Sequence, residues 1–471
     1  MSLAGVTVRR GDRGATPVPL DDVSTRFEAV ICQRGVVGQP IVARSWASLK
    51  SQVGDHTAYS TLRAAESHFA EGGARVVLSR VVGPAATTAT LALRDRDSRT
   101  VLTISAQAPG DWYHAIRATV TAGTGNDRVV TLTLNGETLV SGTARDADQA
   151  QDLIDSAGLV SAAIGAGVWP IVTISDQALA GGSDDRASIT DRQVAAALDA
   201  FAENQGPGSV CASGWTTVAV HTALAQHAAE RNRFARGDLP DVALAATLIA
   251  QAAQIRALDE ARYIQLLAGW PQIEVAGVTV TVPPSGVHTG REARTDREYG
   301  PGPGQPCAWT FGEYATPSGI SRAWTRDERE AMTEAGITIL VADQGALFAE
   351  DAITAVDPSF EQYAEVAAMR VTMAIHNECK AVLRQRVASV IDGHGHLTAS
   401  TAGDIVAICS RWYDRDALYG DTAAEAFAVQ VTADPSGRTL TGNLELRPSP
   451  SVKTVELTIT QIAAGNTIEG S

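Results

Sequence analysis

Cysteine is scarce in this 471-residue chain, and its five copies (Cys32, Cys211, Cys307, Cys379 and Cys409) are odd in number and far apart. Without a Cys-x-x-Cys pair, the spacing excludes a disulfide frame and a zinc ribbon and predicts reduced, buried thiols. Basic charge is also in deficit, with 38 Lys and Arg against 53 Asp and Glu for a net charge of -15. Phosphate recognition rests on a basic surface, so nucleic acid is not an expected partner. No stretch approaches the roughly 18 apolar residues of a membrane span. The nearest run, "VALAATLIAQAAQI", is alanine-rich and broken by glutamines. The apolar stretch before Arg9 and Arg10 is too short for a signal sequence, so a soluble chain made in the cytosol is expected.

The motifs of catalysis are missing as well. "GPGPG" at 300–304 has neither the lysine nor the hydroxyl of a phosphate loop, and its prolines remove backbone donors, so it reads as a surface loop. In "VCASGW", Cys211 stands where a nucleophile elbow needs glycine, which leaves Ser213 in a plain strand-to-helix connection. The best metal candidate is "DGHGH", with Asp392, His394 and His396, but no second ligand cluster accompanies it. Asp392 to His396 therefore reads as a glycine helix stop with solvent-facing histidines. His221 and His227 are six apart on one predicted helix and read as structural. The pairs Asp21-Asp22 and Asp184-Asp185 lie in linker-like sequence, where solvated charge is the default. Trp215, Trp270 and Trp309 fall at strand-loop junctions, where burial at a seam is expected. No catalytic residue, cofactor site or metal site is expected.

What the chain does have is a core: 45% hydrophobic and 19% charged residues, over a length that suits two or more domains. "LAGVTVRRGDRG" alternates Val6 and Val8 before a charged, glycine-rich break, an extended arm (1–22). "EAVICQRG" and "ARVVLSRVV" read as buried strands around a helix over 59–71 that stops at Gly72-Gly73, a β-α-β unit (23–83). From 84 to 182 the runs become rich in threonine and valine, with Asn135-Gly136 as a hairpin turn and "DADQAQDLID" as one short helix. This predicts an inserted, mostly-β domain.

Helical periodicity resumes at Thr190, followed by a strand at "GSVCASGW", a helix at "TTVAVHTALAQHAAERNRFA", a strand at "ARYIQLLAGW" and a loop at "VPPSGVHTGREARTDREYGPGPGQP". A helix over 325–335 and the strand "GITILVA" complete an α/β layer (183–345). A long helix over 359–391 and a second over 402–417 follow (346–441). The strand "AFAVQVTA", the turn "DPSG" and the extended "GNLELRPSPSVKTVELTIT" close the chain, the last belonging to a second arm (442–471). Pro448 and Pro450 interrupt its donors, so Leu444 to Leu446 is expected to pair at home and Val455 to Ile459 to cross to another subunit. The predicted fold class is multidomain α+β and α/β: a mixed α/β core domain, an inserted mostly-β domain, and extended N- and C-terminal strand arms.

The order of these segments resembles the tail sheath proteins of contractile phages and contractile injection systems. The resemblance runs through "AGVTVRR", "ESHFAEGGARVVLSRVV", "APGDWYHAIRATV", "GPGSVCASGWTTVAVHTALAQHAAERNRFARGDLPD", "LLAGWPQIEV", "VPPSGVHTGREARTD", "MTEAGITILVADQG" and "LELRPSPSVKTVELTI". It spans nearly the whole chain, and its strength is the order of individually short patterns. His114 replaces the family's asparagine after the Ala-Pro-Gly-x-Trp segment, and Gly269-Trp270 stands where Pro-Trp is common.

The resemblance implies a non-enzymatic subunit that stacks in rings around an inner tail tube and contracts to drive the tube into a target envelope. It implies self-association through strand exchange by Val6, Val8, Val455, Leu457 and Ile459, with inner tube, baseplate and tail terminator proteins as partners, and no cofactor. A terminal strand added to a neighbour's sheet gives such a head-to-tail linkage. Lys380, Arg384 and Arg386, clustered on an acidic chain, are candidates for facing the tube, against the plain reading of a solvated helix face. The inserted domain would face outward, and the particle would be a virion tail assembled in the host cytoplasm. Two other readings stand beside this one: an α/β hydrolase-like or nucleotide-dependent enzyme, and another phage tail tube or baseplate component.

Overall fold

A computed structural model describes residues 23–241 and 243–453. The β-α-β unit forms as the hydrophobic runs require: β1 (Arg26–Val30) and β3 (Val76–Arg80) pair in parallel, Arg26 beside Val76. Between them lie β2 (Ile41–Ala43), α1 (Trp46–Val53) and α2 (Arg63–Ala70). The helix α1 was not foreseen, because only Leu49 and Val53 mark its buried face; Ser45 caps it by accepting from the Ser48 N–H. The helix expected over 59–71 begins later, since Thr57 and Ser60 bond each other in a turn.

Seven strands follow: β4 (Thr88–Arg94), β5 (Thr100–Pro109), β6 (Ile116–Ala122), β7 (Arg128–Leu134), β8 (Glu137–Ala144), β9 (Val160–Ile164) and β10 (Ile174–Ala178). They form two antiparallel sheets, β4-β5-β9 and β10-β6-β7-β8, around a core that includes Leu102, Ile104, Val120 and Leu132. Asn135 and Gly136 both have positive φ, 51° and 87°, which the tight β7-β8 turn requires. The short helix α3 (Ala147–Asp155) forms where "DADQAQDLID" predicts it, with Asp146 accepting from the Gln149 N–H at 2.8 Å. Where the chain returns, Asp184 departs from expectation. It is 5% exposed and ion-paired with Arg80 at 2.8 Å, because a buried guanidinium needs a counter-charge.

The remaining strands are β11 (Ser209–Cys211), β12 (Phe234–Asp238), β13 (Ile264–Ala268), β14 (Pro271–Val275), β15 (Val278–Thr281), β16 (Gly319–Ile320), β17 (Ile337–Asp343) and β18 (Ala346–Ala349). The main sheet has the order β18-β17-β13-β12-β11-β1-β3-β2. It is parallel from β3 to β17 and antiparallel at both edges. Helices α4 (Asp191–Ala197), α5 (Val218–Arg231), α6 (Ala245–Arg256), α7 (Pro284–Glu298) and α8 (Arg326–Glu334) accompany it. The helix expected to run on through "RNRFA" stops at Asn232 in a left-handed cap (φ 52°), and Phe234 onward becomes β12. Its charged alternation, Arg236 and Asp238, hid that strand from a hydrophobicity reading.

The sheet's two faces differ in chemistry. One carries Phe27, Ala29, Val77, Val210, Ala235, Leu266 and Ile339 in the large apolar core shared with α4, α5, α6 and α8. The other carries Arg26, Glu28, Arg236, Asp238, Gln265 and Thr338, all buried. Over this face lies α7, in the segment expected to be a loop. The prolines Pro283 and Pro284 start it, Pro284 at a first-turn position where its missing N–H costs nothing. Its polar sequence gave no amphipathic stripe because its partners are polar: Arg26 donates to the Ser285 carbonyl at 2.8 Å and Arg236 to Glu292 at 2.7 Å.

The C-terminal part pairs α9 (Val366–Arg386) with α10 (His396–Tyr413) and ends in β19 (Phe427–Asp434) and β20 (Thr439–Leu446). The long helix starts at Val366 rather than 359, because Glu365 is extended after the one-turn helix Glu361–Ala364. The next starts at His396 rather than 402. The "GPGPG" segment is a tight turn, with Gly302 and Pro303 buried rather than on a surface loop. Trp309 is the converse, 53% exposed where burial was expected.

Candidate assembly surfaces

Eight residue pairs, from Phe427 with Leu446 to Asp434 with Thr439, hold β19 and β20 in an uninterrupted antiparallel register. At the turn, Asp434 accepts from the Ser436 N–H at 2.9 Å and from its hydroxyl at 2.6 Å. These bonds hold the Asp434 carboxyl below its ordinary pKa. The alternation predicted from sequence decides the faces. Phe427, Val429, Val431, Leu444 and Leu446 pack on the cluster around α9 and α10, and Ala428, Gln430, Thr432 and Glu445 face solvent. Leu444 to Leu446 thus pairs at home, as expected.

Among the described residues this sheet has two strands only, so both outer edges present unpaired backbone groups. Three edges elsewhere are blunted. On β9, the Ala162 N–H donates to Asp155 and its carbonyl accepts from Gln151, both on α3. On β18, the Leu347 carbonyl accepts from the Tyr314 N–H at 2.8 Å. β10 is bulged at Asp176, whose backbone is left-handed (φ 49°) and whose carboxylate pairs with Arg117.

Beside β20 runs a groove of about 560 Å³. One wall is the α9 face Ile375, Cys379 and Leu383 with Val387 just after the helix, and the other is Leu444 and Leu446. Thr372, His376, Lys380 and Arg384 complete the lining. Val387, at the end of the α9 wall, and Val390 beyond it are 77% and 84% exposed.

The three cations named from sequence all lie on α9 and differ in situation. Lys380 is ion-paired with Glu203, and Arg386 with Asp404 on α10. Partial burial and then the neighbouring Arg384 lower the Lys380 pKa from its ordinary value. Arg384 is exposed, and among the described residues it has no acidic partner. Lys380 and Arg384, one turn apart, share the groove lining, and Arg386 turns toward α10. Val6, Val8, Val455, Leu457 and Ile459 lie outside the described residues.

The features tested for chemistry have structural partners. The Asp392 carboxylate accepts from the N–H groups of His394, His396 and Leu397, at 2.9, 2.9 and 2.8 Å. This caps α10 and holds the Asp392 pKa at about 2. Among the described residues no group of three His, Cys, Asp or Glu is placed to hold a metal ion. Ser213 is buried, bonded to Arg26 and, at 2.8 Å, to Ser285. Asp238 accepts from the Ser285 N–H at 2.8 Å, the Ser285 hydroxyl at 2.9 Å and the Gly214 N–H at 3.1 Å, and burial pushes its pKa up to about 6. His221 bonds the Asp238 carbonyl and His227 bonds Arg233, both buried as structural histidines. No helix among the described residues is long and apolar enough to cross a membrane.

No protein-family model matches the chain, and neither does any curated protein. Solved structures do match. The sheath tail protein of Listeria innocua superposes with a TM-score of 0.67 at 15% identity, over 91% of this chain and 92% of that one. The sheath tail protein of Desulfitobacterium hafniense gives 0.62 at 15% identity, over 95% and 98%. The sheath of an extracellular contractile injection system, PVC, in its contracted state gives 0.57 at 14% identity, over 99% of both chains. The chain therefore has the fold of contractile sheath proteins.

Proposed function

We propose that this chain, which has the contractile sheath fold, is a structural and non-catalytic subunit that polymerises by strand exchange into stacked rings around an inner tube. The observation that carries this reading is that, among the described residues, β19 and β20 leave both outer edges unpaired beside an apolar groove, in a molecule that blunts several of its other edges. Backbone edges of this kind accept an added strand directionally, and head-to-tail addition generates rings or helices.

The terminal segments supply the strand. From Ile375 to Val387 the α9 wall is roughly 18 Å long. Three alternate side chains of a strand span about 14 Å. Val455, Leu457 and Ile459 of a neighbouring copy match that length on β20, and Glu456 suits a groove lined by Lys380 and Arg384. Val6 and Val8, followed by Arg9 and Arg10, are then assigned to β19. The inserted unit (84–182) faces outward, and the end of α9 faces the tube, with Arg384 and the exposed Val387 and Val390 as its contacts. Contraction draws on a kinetically trapped extended state and needs no nucleotide. Baseplate and terminator proteins close the ends of the polymer, in a virion tail assembled in the host cytoplasm.

Electron microscopy of the purified full-length chain at high concentration tests this. Striated hollow cylinders are the expected result. A monodisperse monomer at every concentration and salt would overturn it.

A further inference from the structure

Chain segments that join two structural units usually leave them free to move relative to each other. The seam around the β-rich unit is built differently. At its entry, Arg80 is the last residue of β3, and its side chain is fully buried. Its Nε donates to the Cys32 carbonyl at 3.1 Å, Nη1 to Gly35 at 3.1 Å and Pro109 at 2.7 Å, and Nη2 to Gln33 at 3.1 Å and Asp184 at 2.8 Å. All five guanidinium N–H groups are therefore engaged. Cys32 to Gly35 follow β1 of the main sheet, Pro109 ends β5 of the β-rich unit, and Asp184 lies on the return crossing.

The two crossings are also zipped together. Thr87 and Ser183 exchange N–H and carbonyl bonds at 2.9 Å each, and the Gly83 N–H donates to the Asp184 carbonyl at 2.9 Å. Gly110, at φ 138°, closes the gap: a Cβ there would lie 2.5 Å from the Asp184 carboxylate and 2.9 Å from Arg80. Cation-π contacts flank the bolt, with Arg34 over Trp112 at 4.4 Å and Arg186 over Tyr59 at 3.9 Å.

We infer that Arg80 is a positioning residue that welds the β-rich unit to the α/β body, so that the two turn as one lever when subunits rearrange. The mechanical consequence rests on the sheath reading; the weld itself does not. A planar fork with five fixed donors reaches three separate segments at once, which the point charge of lysine cannot do.

The test is a distance measurement on the full-length chain, with spin labels at Thr124→Cys in the β6-β7 turn and Ala331→Cys on α8. The native thiols are buried, and only the new ones will label. A single narrow distance distribution is expected from the unaltered background. Arg80→Lys should broaden it at least about twofold, with the circular dichroism spectrum unchanged. Asp184→Asn, which keeps a hydrogen-bond acceptor, should broaden it less. An equally narrow distribution in a folded Arg80→Lys chain would overturn the weld, as would a broad one in the unaltered background. If Arg80→Lys does not fold, an unbroadened Asp184→Ala chain would overturn it equally. Failure of the chain to form cylinders would sink the sheath reading and leave this measurement standing.

Discussion

Arg370 on α9 donates from Nη1 to Asp296 Oδ1 on α7 at 2.9 Å and from Nη2 to Oδ2, a two-point ion pair with both side chains 1% exposed. Glu292 lies 3.4 Å from Arg370 and also receives Arg236 from the main sheet. Burial opposes the charge on Arg370, yet Asp296 and then Glu292 hold its pKa above the ordinary value. One charged chain thus ties the sheet, its covering helix and the C-terminal helical pair into a single body.

Removing one partner of such a pair leaves the other charged and buried, so Arg370→Ala should cost about 3–5 kcal/mol. Replacing both, as Arg370→Met with Asp296→Leu, should cost less than the single change. Urea unfolding midpoints of the two variants check this ordering, and a milder single variant would refute it.

Gly286 and Gly290 let α7 lie against α2: a Cβ on Gly290 would be 2.4 Å from the His68 carbonyl oxygen. Gly290→Ala should therefore destabilise by about 1–3 kcal/mol through overpacking, although alanine favours helix. Gly403→Ala on α10, which meets nothing within 4 Å, should instead stabilise by about 0.5–1 kcal/mol. Thermal melts that gave both changes the same sign would contradict the close approach.

Acid should weaken the fold. Burial lowers the pKa of His221 to about 4, lowers that of His227, beside Arg233, to about 3, and depresses His68 and His288 strongly. Unfolded histidines titrate near 6.5, so below that pH the unfolded chain gains protons the folded chain refuses, and stability is lost as pH falls toward 4. Asp238 acts oppositely: with its pKa raised to about 6, its contribution is full below the unfolded value and is lost as pH rises through 6. Burial also raises the pKa values of Asp184 and Glu350, which act in the same sense as Asp238; against these three carboxyls the four buried histidines predict a Tm roughly several degrees lower at pH 5 than at pH 7 by calorimetry. A higher Tm at pH 5 would reverse this account.

Burial pushes the Cys379 thiol up to about 11 and those of Cys32, Cys211, Cys307 and Cys409 to about 12. Since the thiolate is the reactive form, an aromatic disulfide reagent at pH 8 should find almost no reactive thiol in the native chain and five after denaturation.

Deleting 454–471 should leave the hairpin and α9-α10 packing intact, so the circular dichroism spectrum stays as it was, and cylinders are lost. Adding back a peptide of sequence TVELTIT should occupy the β20 groove without restoring polymers. Cylinders formed by the truncated chain would refute the role of that segment.

Where hydrophobic alternation coincided with burial, local pattern was enough to find the elements. The β7-β8 hairpin around Asn135-Gly136, the capped helix after Asp146, the β-α-β unit and the home strand at Leu444 to Leu446 were all legible. Failures fell where a buried partner was itself polar. The helix at Pro284 and the strand at Arg236 look like solvated loop and helix end because their hydrophobicity is low, and Arg26, Glu28 and Gln265 make that polarity tolerable. Of the candidate tube-facing cations, sequence showed the cluster but not that Glu203 and Asp404 engage two of its three members.

The sequence by itself determined the mixed α/β class, the order of segments, the absence of a disulfide frame and the alternating terminal runs, since these depend on local periodicity and composition. Only the tertiary structure decided which charges are buried and that Arg80 and Asp184 close the seam. Those features arise from residues 74, 104 or more positions apart meeting in space, as Asp296 meets Arg370 and Arg80 meets Asp184, which no local pattern encodes.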